Sequence, residues 1–143
     1  MLGLQVRSVI EPRKLVVAPP EASVSDAARL MRKDRVGAVL IVKEGRLVGI
    51  FTERDAVYRV MAASRDPGTT RLGEVMTPDP KTVAPDESFG YALLLMHENG
   101  FRHAPVVEDG RPVGVVSARH ALDPDLEEFT AEAERRKHIR RRA

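Results

Sequence analysis

Gly45-Arg46-Leu47-Val48-Gly49-Ile50-Phe51-Thr52-Glu53-Arg54-Asp55 returns 65 residues later as Gly110-Arg111-Pro112-Val113-Gly114-Val115-Val116-Ser117-Ala118-Arg119-His120. The offset holds without a gap from Ser23/Ser88 through Val57/Leu122. Upstream it becomes 66, pairing Val9, Pro12 and Val17-Ala18-Pro19 with Val75, Pro78 and Val83-Ala84-Pro85. A slip of one residue near Pro20 to Ala22 reconciles the two. Such a repeat constrains the fold before any local propensity does, because one supersecondary unit cannot bury its apolar face alone. Two copies are too few for a solenoid. They are expected to pack on each other as a pseudo-symmetric pair, with the cleft between them a natural place for a ligand.

The length of 143 residues suits one compact domain or two small halves sharing a core. Aromatic residues make up only 4% of the chain, so the core must rest on Val, Leu, Ile, Met and Ala. A formal charge of +2 falls well short of the electrostatic footprint of a dedicated nucleic-acid binder. With no cysteine, disulfides and thiolate zinc sites are excluded, which fits a reducing compartment. The N-terminus meets Arg7 too early for a secretory apolar region, and no apolar run approaches the ~20 residues of a membrane helix. The expectation is a soluble, cytoplasmic protein with no membrane contact.

Each copy reads as β-α-β-β-α. In the second, Thr82-Val83 is a short extended piece, Ser88 caps a helix over Phe89 to Asn99, and Gly100 supplies the left-handed residue after it. Asp109-Gly110 between apolar runs signals a tight hairpin turn. In the first, Ser23 caps a helix running to about Arg35, with Asp26 placed for a capping box, and Glu44-Gly45 turns the hairpin. The repeats span residues 6–62 and 73–122, joined by a crossover at 63–72, with a charged helical tail at 123–143. Phe89 to Met96 is apolar on nearly every face, which predicts burial on more than one side. The second cover is either another subunit or the depth of the monomer itself.

The stretch Gly49 to Asp55 carries the chemistry. Glycine at a strand start lets something approach the backbone closely. Thr52 can cap the next helix, whose N-terminus suits a phosphate, and the Asp55 carboxylate can accept hydrogen bonds from a sugar diol. Phosphate donors beside a diol acceptor are what a ribonucleotide needs. Thr-x-x-Asp is equally an ordinary capping box, and the residues alone leave both readings open.

Within a repeat, this pattern resembles the CBS domain in its usual tandem arrangement, the Bateman module. The resemblance covers roughly Val6 to Leu122. It rests on Gly49-Ile50-Phe51-Thr52-Glu53-Arg54-Asp55, on Gly100-Phe101-Arg102-His103-Ala104-Pro105-Val106-Val107, and on Met76-Thr77-Pro78 before the second copy. It implies two repeats packed through their sheets, and an adenosine ligand in the clefts: AMP, ADP, ATP or S-adenosylmethionine. Carried over by position, Asp55 holds the ribose and Thr52 the phosphate, with Ser117 and His120 as their equivalents. Val16-Val17 and Thr82-Val83 would offer backbone groups and apolar surface to adenine. Arg102 and His103, just before Ala104-Pro105, stand where basic residues of nucleotide-binding relatives reach phosphates.

The copies have drifted. The first has Gly37-Ala38 where the second has Arg102-His103, and the second has His120 where the first has Asp55. A neutral imidazole offers one acceptor against the carboxylate's several, so the second ribose site is compromised. The parts of one good site are split between copies: Thr52 and Asp55 from one, Arg102 and His103 from the other. Arg102 and His103 also admit the plainer reading of a solvated turn.

The histidines show no metal-ligand spacing, so no metal is expected, and no phosphate loop, nucleophile elbow or catalytic carboxylate pair appears. The chain is expected to be a regulatory binding protein and not an enzyme: a homodimer that senses an adenine nucleotide and signals to an unknown partner. A degenerate pair serving only as a dimerisation scaffold is one alternative. A nucleic-acid-associated protein using the basic end of the tail is another.

Overall fold

The computed structural model describes residues 2–11, 15–122 and Arg135. Along the chain run α1 (Val6–Val9), β1 (Val17–Ala18), α2 (Val24–Asp34), β2 (Ala38–Lys43), β3 (Arg46–Thr52) and α3 (Glu53–Asp55). After α3 a π-helical stretch continues over Ala56–Met61. The second half has α4 (Leu72–Val75), β4 (Thr77–Pro78), α5 (Phe89–Asn99), β5 (His103–Glu108), β6 (Arg111–Ser117) and a 3-10 helix over Ala118–Leu122. Apart from Arg135, the tail with its expected helix lies outside the described residues.

Equivalent residues build equivalent structure. The hydroxyls of Ser23 and Ser88 each accept from the N–H three residues on, both at 3.1 Å, satisfying a donor that a helix start leaves orphaned. Asp26 does not reach back to complete the box, because its carboxylate pairs with Arg29 at 2.9 Å. Both helices end on a left-handed residue, Arg35 at φ 54 and Gly100 at φ 72. Both hairpins turn through two positive-φ residues, Glu44-Gly45 and Asp109-Gly110, the geometry whose twist matches paired strands. Each hairpin also shifts register at the same place, between Ile41 and Val42 and between Val106 and Val107.

The copies differ at their edges. In the first, β1 runs parallel to β2 and β4 closes the other side, giving the order β1-β2-β3-β4. In the second, the expected Thr82-Val83 strand shrinks to a single parallel bridge between Val83 and Val106, leaving a two-stranded β5-β6 sheet. Of Val16-Val17, the equivalent pair in the first copy, only Val17 lies within β1. Within the described residues, the second copy closes on a 3-10 helix at Ala118–Leu122.

The segments ahead of each repeat are exchanged. Leu72 and Val75 of α4 are buried in the first copy's core with Val39, Ile41 and Phe51. Val6 and Val9 of α1 are buried in the second copy's core with Phe89, Val106 and Val116. This exchange explains the strand glycines: a Cβ on Gly49 would collide with the Met76 side chain, and one on Gly114 would come within 2.5 Å of Ile10 Cδ1. The close approach expected at Gly49 is therefore made by the chain's own lead-in. A third cluster, Ala38, Leu40 and Ile50 with Leu15, Leu47 and Val115, joins the two repeats face to face. No helix among the described residues is long and apolar enough to cross a membrane.

Candidate functional site

Thr52 ends β3, and its side chain closes a reciprocal capping box. Thr52 Oγ1 accepts from the Asp55 N–H at 3.2 Å, and Asp55 Oδ2 accepts from the Thr52 N–H at 3.0 Å. Asp55 Oδ1 lies 3.5 Å from Arg59 Nε, one helical turn on. Arg59 Nη1 in turn donates to the carbonyls of Val75 at 3.3 Å and Met76 at 3.1 Å. Arg59 thus braces the carboxylate and ties it to the exchanged lead-in. Its four-residue spacing from Asp55 is the sequence signal for this pairing.

The second copy forms the same turn with different chemistry. His120 Nδ1 accepts from the Ser117 N–H at 2.9 Å, so the imidazole occupies the carboxylate's capping place. Ser117 Oγ accepts from the Arg119 N–H at 3.2 Å. Arg119 repeats Arg54, which itself lies 5.3 Å from the Tyr58 ring centroid, within cation–π range.

Where the copies meet, a glycine admits an imidazole. A Cβ on Gly37 would stand 3.0 Å from His103 Nε2 and 3.1 Å from Glu53 Oε1. The bare backbone at Gly37 therefore lets the second copy's histidine and the first copy's glutamate converge on one point. Burial pushes the His103 pKa below the usual histidine value; Glu53 pulls it back up, while Arg119, His120 and Arg102 push it down.

Two cavities open around this point. One, of about 490 Å³, sets Arg35 to Ala38 of the first copy against His103, Ser117, Arg119 and His120 of the second. The other, of about 860 Å³, sets Glu53 and Arg54 against Gly100 to His103, Ser117 and Arg119. They share Gly37, His103, Ser117, Arg119 and Leu122, so they are neighbouring parts of one cleft. Arg102 and His103 are brought together in the larger, and His103, Ser117 and His120 in the smaller. Thr52 and Asp55 line neither; their neighbours Glu53 and Arg54 line the larger.

The residues assigned to adenine, Val16-Val17 and Thr82-Val83, and the adjoining candidates Ala104-Pro105 divide by burial. Val16, Val83, Ala104 and Pro105 are buried, whereas Val17 and Thr82 are exposed. Both backbone groups of Val83 are paired, its N–H to Pro105 at 3.0 Å and its carbonyl to the Val107 N–H at 2.9 Å. The Val16 carbonyl accepts from Leu40 at 2.9 Å. Glu11 and Arg35, which also line the smaller cavity, carried no sequence signal, since neither belongs to a repeated motif.

A family model described as CBS domain matches the chain twice, over residues 6–62 and 72–125. The chain is 35% identical over 118 residues to the mitochondrial CBS domain-containing protein CBSX3 of Arabidopsis thaliana, covering 79% of this chain and 57% of that protein. It is 34% identical over 104 residues to CBS domain-containing protein YhcV of Bacillus subtilis, covering 73% and 74%. The chain thus spans little more than half the length of the Arabidopsis relative. Among solved structures, CBS domain protein PAE2072 from Pyrobaculum aerophilum complexed with AMP is 25% identical, with TM-score 0.76, covering 90% of this chain and 99% of that one. The CBS domain pair of protein MJ0100, in complex with 5-methylthioadenosine and S-adenosyl-L-methionine, is 27% identical with TM-score 0.74, covering 82% and 96%. A hexameric CBS-CP12 protein from bloom-forming cyanobacteria is 28% identical with TM-score 0.78, covering 87% and 69%.

Proposed function

The chain belongs to the CBS domain family as a tandem pair, and from that premise we propose that it is a regulatory module binding an adenosine ligand between its repeats. The ligand is AMP, ADP, ATP or S-adenosylmethionine, and its occupancy is passed to a partner protein. The observation that carries this reading is the cleft at Gly37 and His103, walled by both copies and rich in guanidinium groups. The adenosine-type ligands in the PAE2072 and MJ0100 complexes support the ligand class.

The split site follows from pseudo-symmetry. On one side the smaller cavity faces Ser117 and His120 with Gly37 and Ala38. The repeat that relates Ser117 to Thr52 and His120 to Asp55 also relates Gly37 to Arg102 and Ala38 to His103. By the same relation Thr52 and Asp55 are proposed to serve the side of the cleft that holds Arg102 and His103, where their neighbours Glu53 and Arg54 line the larger cavity. In this reading Asp55 accepts from the ribose, Thr52 supports the phosphate, and Arg102 with His103 completes its neutralisation.

The module is proposed to act as a homodimer. Val57, Tyr58 and Met61 on the π-helical stretch, and Tyr91 and Leu94 on α5, are large apolar side chains left exposed. A hexameric relative fits association of this kind.

A thermal-shift screen of AMP, ADP, ATP and S-adenosylmethionine tests the ligand reading. A ligand binding only the folded state at a hundred times its Kd adds about 2.7 kcal/mol of stability. No shift with any of the four at millimolar concentration would leave the scaffold reading in its place.

A further inference from the structure

The exchanged lead-in is tied to the first copy by a charged side chain as well as by its apolar residues. A helix leaves its last carbonyls without intrahelical partners, and α4 ends at Val75 with Met76 as its cap. Arg59 Nη1 donates to both of these carbonyls, at 3.3 Å and 3.1 Å. The same guanidinium turns its Nε toward Asp55 Oδ1 at 3.5 Å. The other Asp55 oxygen accepts from the Thr52 N–H at 3.0 Å. One chain of contacts therefore runs from the end of β3 through Asp55 and Arg59 to the end of α4. Met76 closes the circuit. Its side chain fills the space over Gly49, and β4 just after it pairs with β3 at Gly49–Pro78 and Ile50–Thr77.

The links in this chain differ in strength. At 3.5 Å the Asp55–Arg59 contact is longer than the ~2.7–2.9 Å of a charge-assisted hydrogen bond, and the Arg59 side chain is 48% exposed. A hydrogen-bond donor arriving at Oδ1 can displace it. The capping bond on Oδ2 is not contested by that arrival, so the turn keeps its shape while the guanidinium is let go. The offset of 65 puts Pro124 in the second copy where the first has Arg59, a residue with no side-chain donor. The displaceable link thus belongs to the copy that has the carboxylate.

We propose that Arg59 is a positioning residue coupling the Asp55 carboxylate to α4, so that a ligand hydroxyl donating to Oδ1 loosens the end of α4. The ligand half of this rests on the reading of Asp55 as the ribose acceptor, and the coupling itself does not.

Amide hydrogen exchange in the full chain tests it. The reporters are Met76, whose N–H donates to the Leu72 carbonyl, and Asp79, whose N–H donates to that of Val48, with Leu40 in the core as reference. Asp55→Asn keeps an oxygen for the Thr52 N–H and removes the charge that holds Arg59. It should speed exchange at Met76 and Asp79 about threefold relative to Leu40, the scale of a half-exposed ion pair. In an Arg59→Met background the same change should add nothing, a coupling that independent structural roles for the two residues would not produce. Saturating AMP should speed the same two amides in the wild type and not in Arg59→Met. Additive effects of the two substitutions, no effect of Asp55→Asn at α4, or AMP bound to the wild type without change there would overturn the proposal. Should Arg59→Met not fold, Asp55→Asn and AMP on the wild type still decide. Coupling between the substitutions with no AMP bound upholds the proposed coupling and removes AMP as the ligand. AMP binding without that coupling does the reverse.

Discussion

His103 is the residue on which the two repeats converge, and its protonation is tied to that position. Its pKa lies below the ordinary histidine value, chiefly because burial disfavours the imidazolium and despite the nearby Glu53 carboxylate. The unfolded chain therefore binds a proton at a higher pH than the folded one. Folded stability contributed by neutral His103 is present above the unfolded value and declines as the pH falls below it. His103→Gln should lose less stability than the wild type on acidification from about pH 7 to about pH 5. Parallel urea titrations at the two pH values measure the difference; identical losses would contradict the assignment. Glu74 shifts downward through the hydrogen bond its carboxylate accepts from the Arg71 N–H, with Arg65 assisting. Its contribution is lost in a lower window, as the pH falls through the carboxylate range, so the two groups are separable.

Among the elements, α4 shows how far a segment's sequence position differs from its structural allegiance. Leu72 lies beyond the first copy in sequence yet is fully buried in that copy's core. Leu72→Ala should cost about 2–5 kcal/mol, the usual range for emptying a buried leucine site. Chemical denaturation with an unchanged m-value would register it, and a loss under 1 kcal/mol would deny the exchange. The repeat itself announced the hairpins, the serine caps and Gly100, because each rests on local chemistry that the sequence spells out. It was silent on the exchange, since periodicity says which segments are alike and not which copy each packs against. For the same reason Gly49 read as room for a ligand, where the structure puts Met76. Arg102 and His103 were readable as motif residues and line the cleft, whereas Thr52 and Asp55 were readable as a capping pair and line neither cavity. Arg35 and Glu11 were not readable, because their place in the cleft depends on long-range approach; of Arg59 only the local pairing with Asp55 was, not its bonds to the Val75 and Met76 carbonyls.

At the scale of the whole molecule, α5 explains why its sequence is apolar all round. Phe89, Ala92 and Met96 are buried within the chain, and Leu93 and Leu95 pack against them in part. Tyr91 and Leu94 remain 46% and 53% exposed, so the monomer covers one face and leaves another. Together with exposed Met61 at 71%, this argues for association through helix faces, and two-fold pairing is the commonest closed form. Light scattering at micromolar concentration should give twice the 15.8 kDa monomer mass or a higher multiple. The monomer mass would count against it.

The central claim, an adenosine ligand held between the repeats with its ribose on Asp55, is tested most directly by calorimetric titration of AMP into the wild type and Asp55→Ala. The wild type should show one dominant site per chain. Asp55→Ala should weaken it about 10- to 100-fold, the loss of charge-assisted hydrogen bonds of roughly 1.5–3 kcal/mol. Two equal AMP sites per chain, or AMP binding by Asp55→Ala with wild-type affinity, would contradict it.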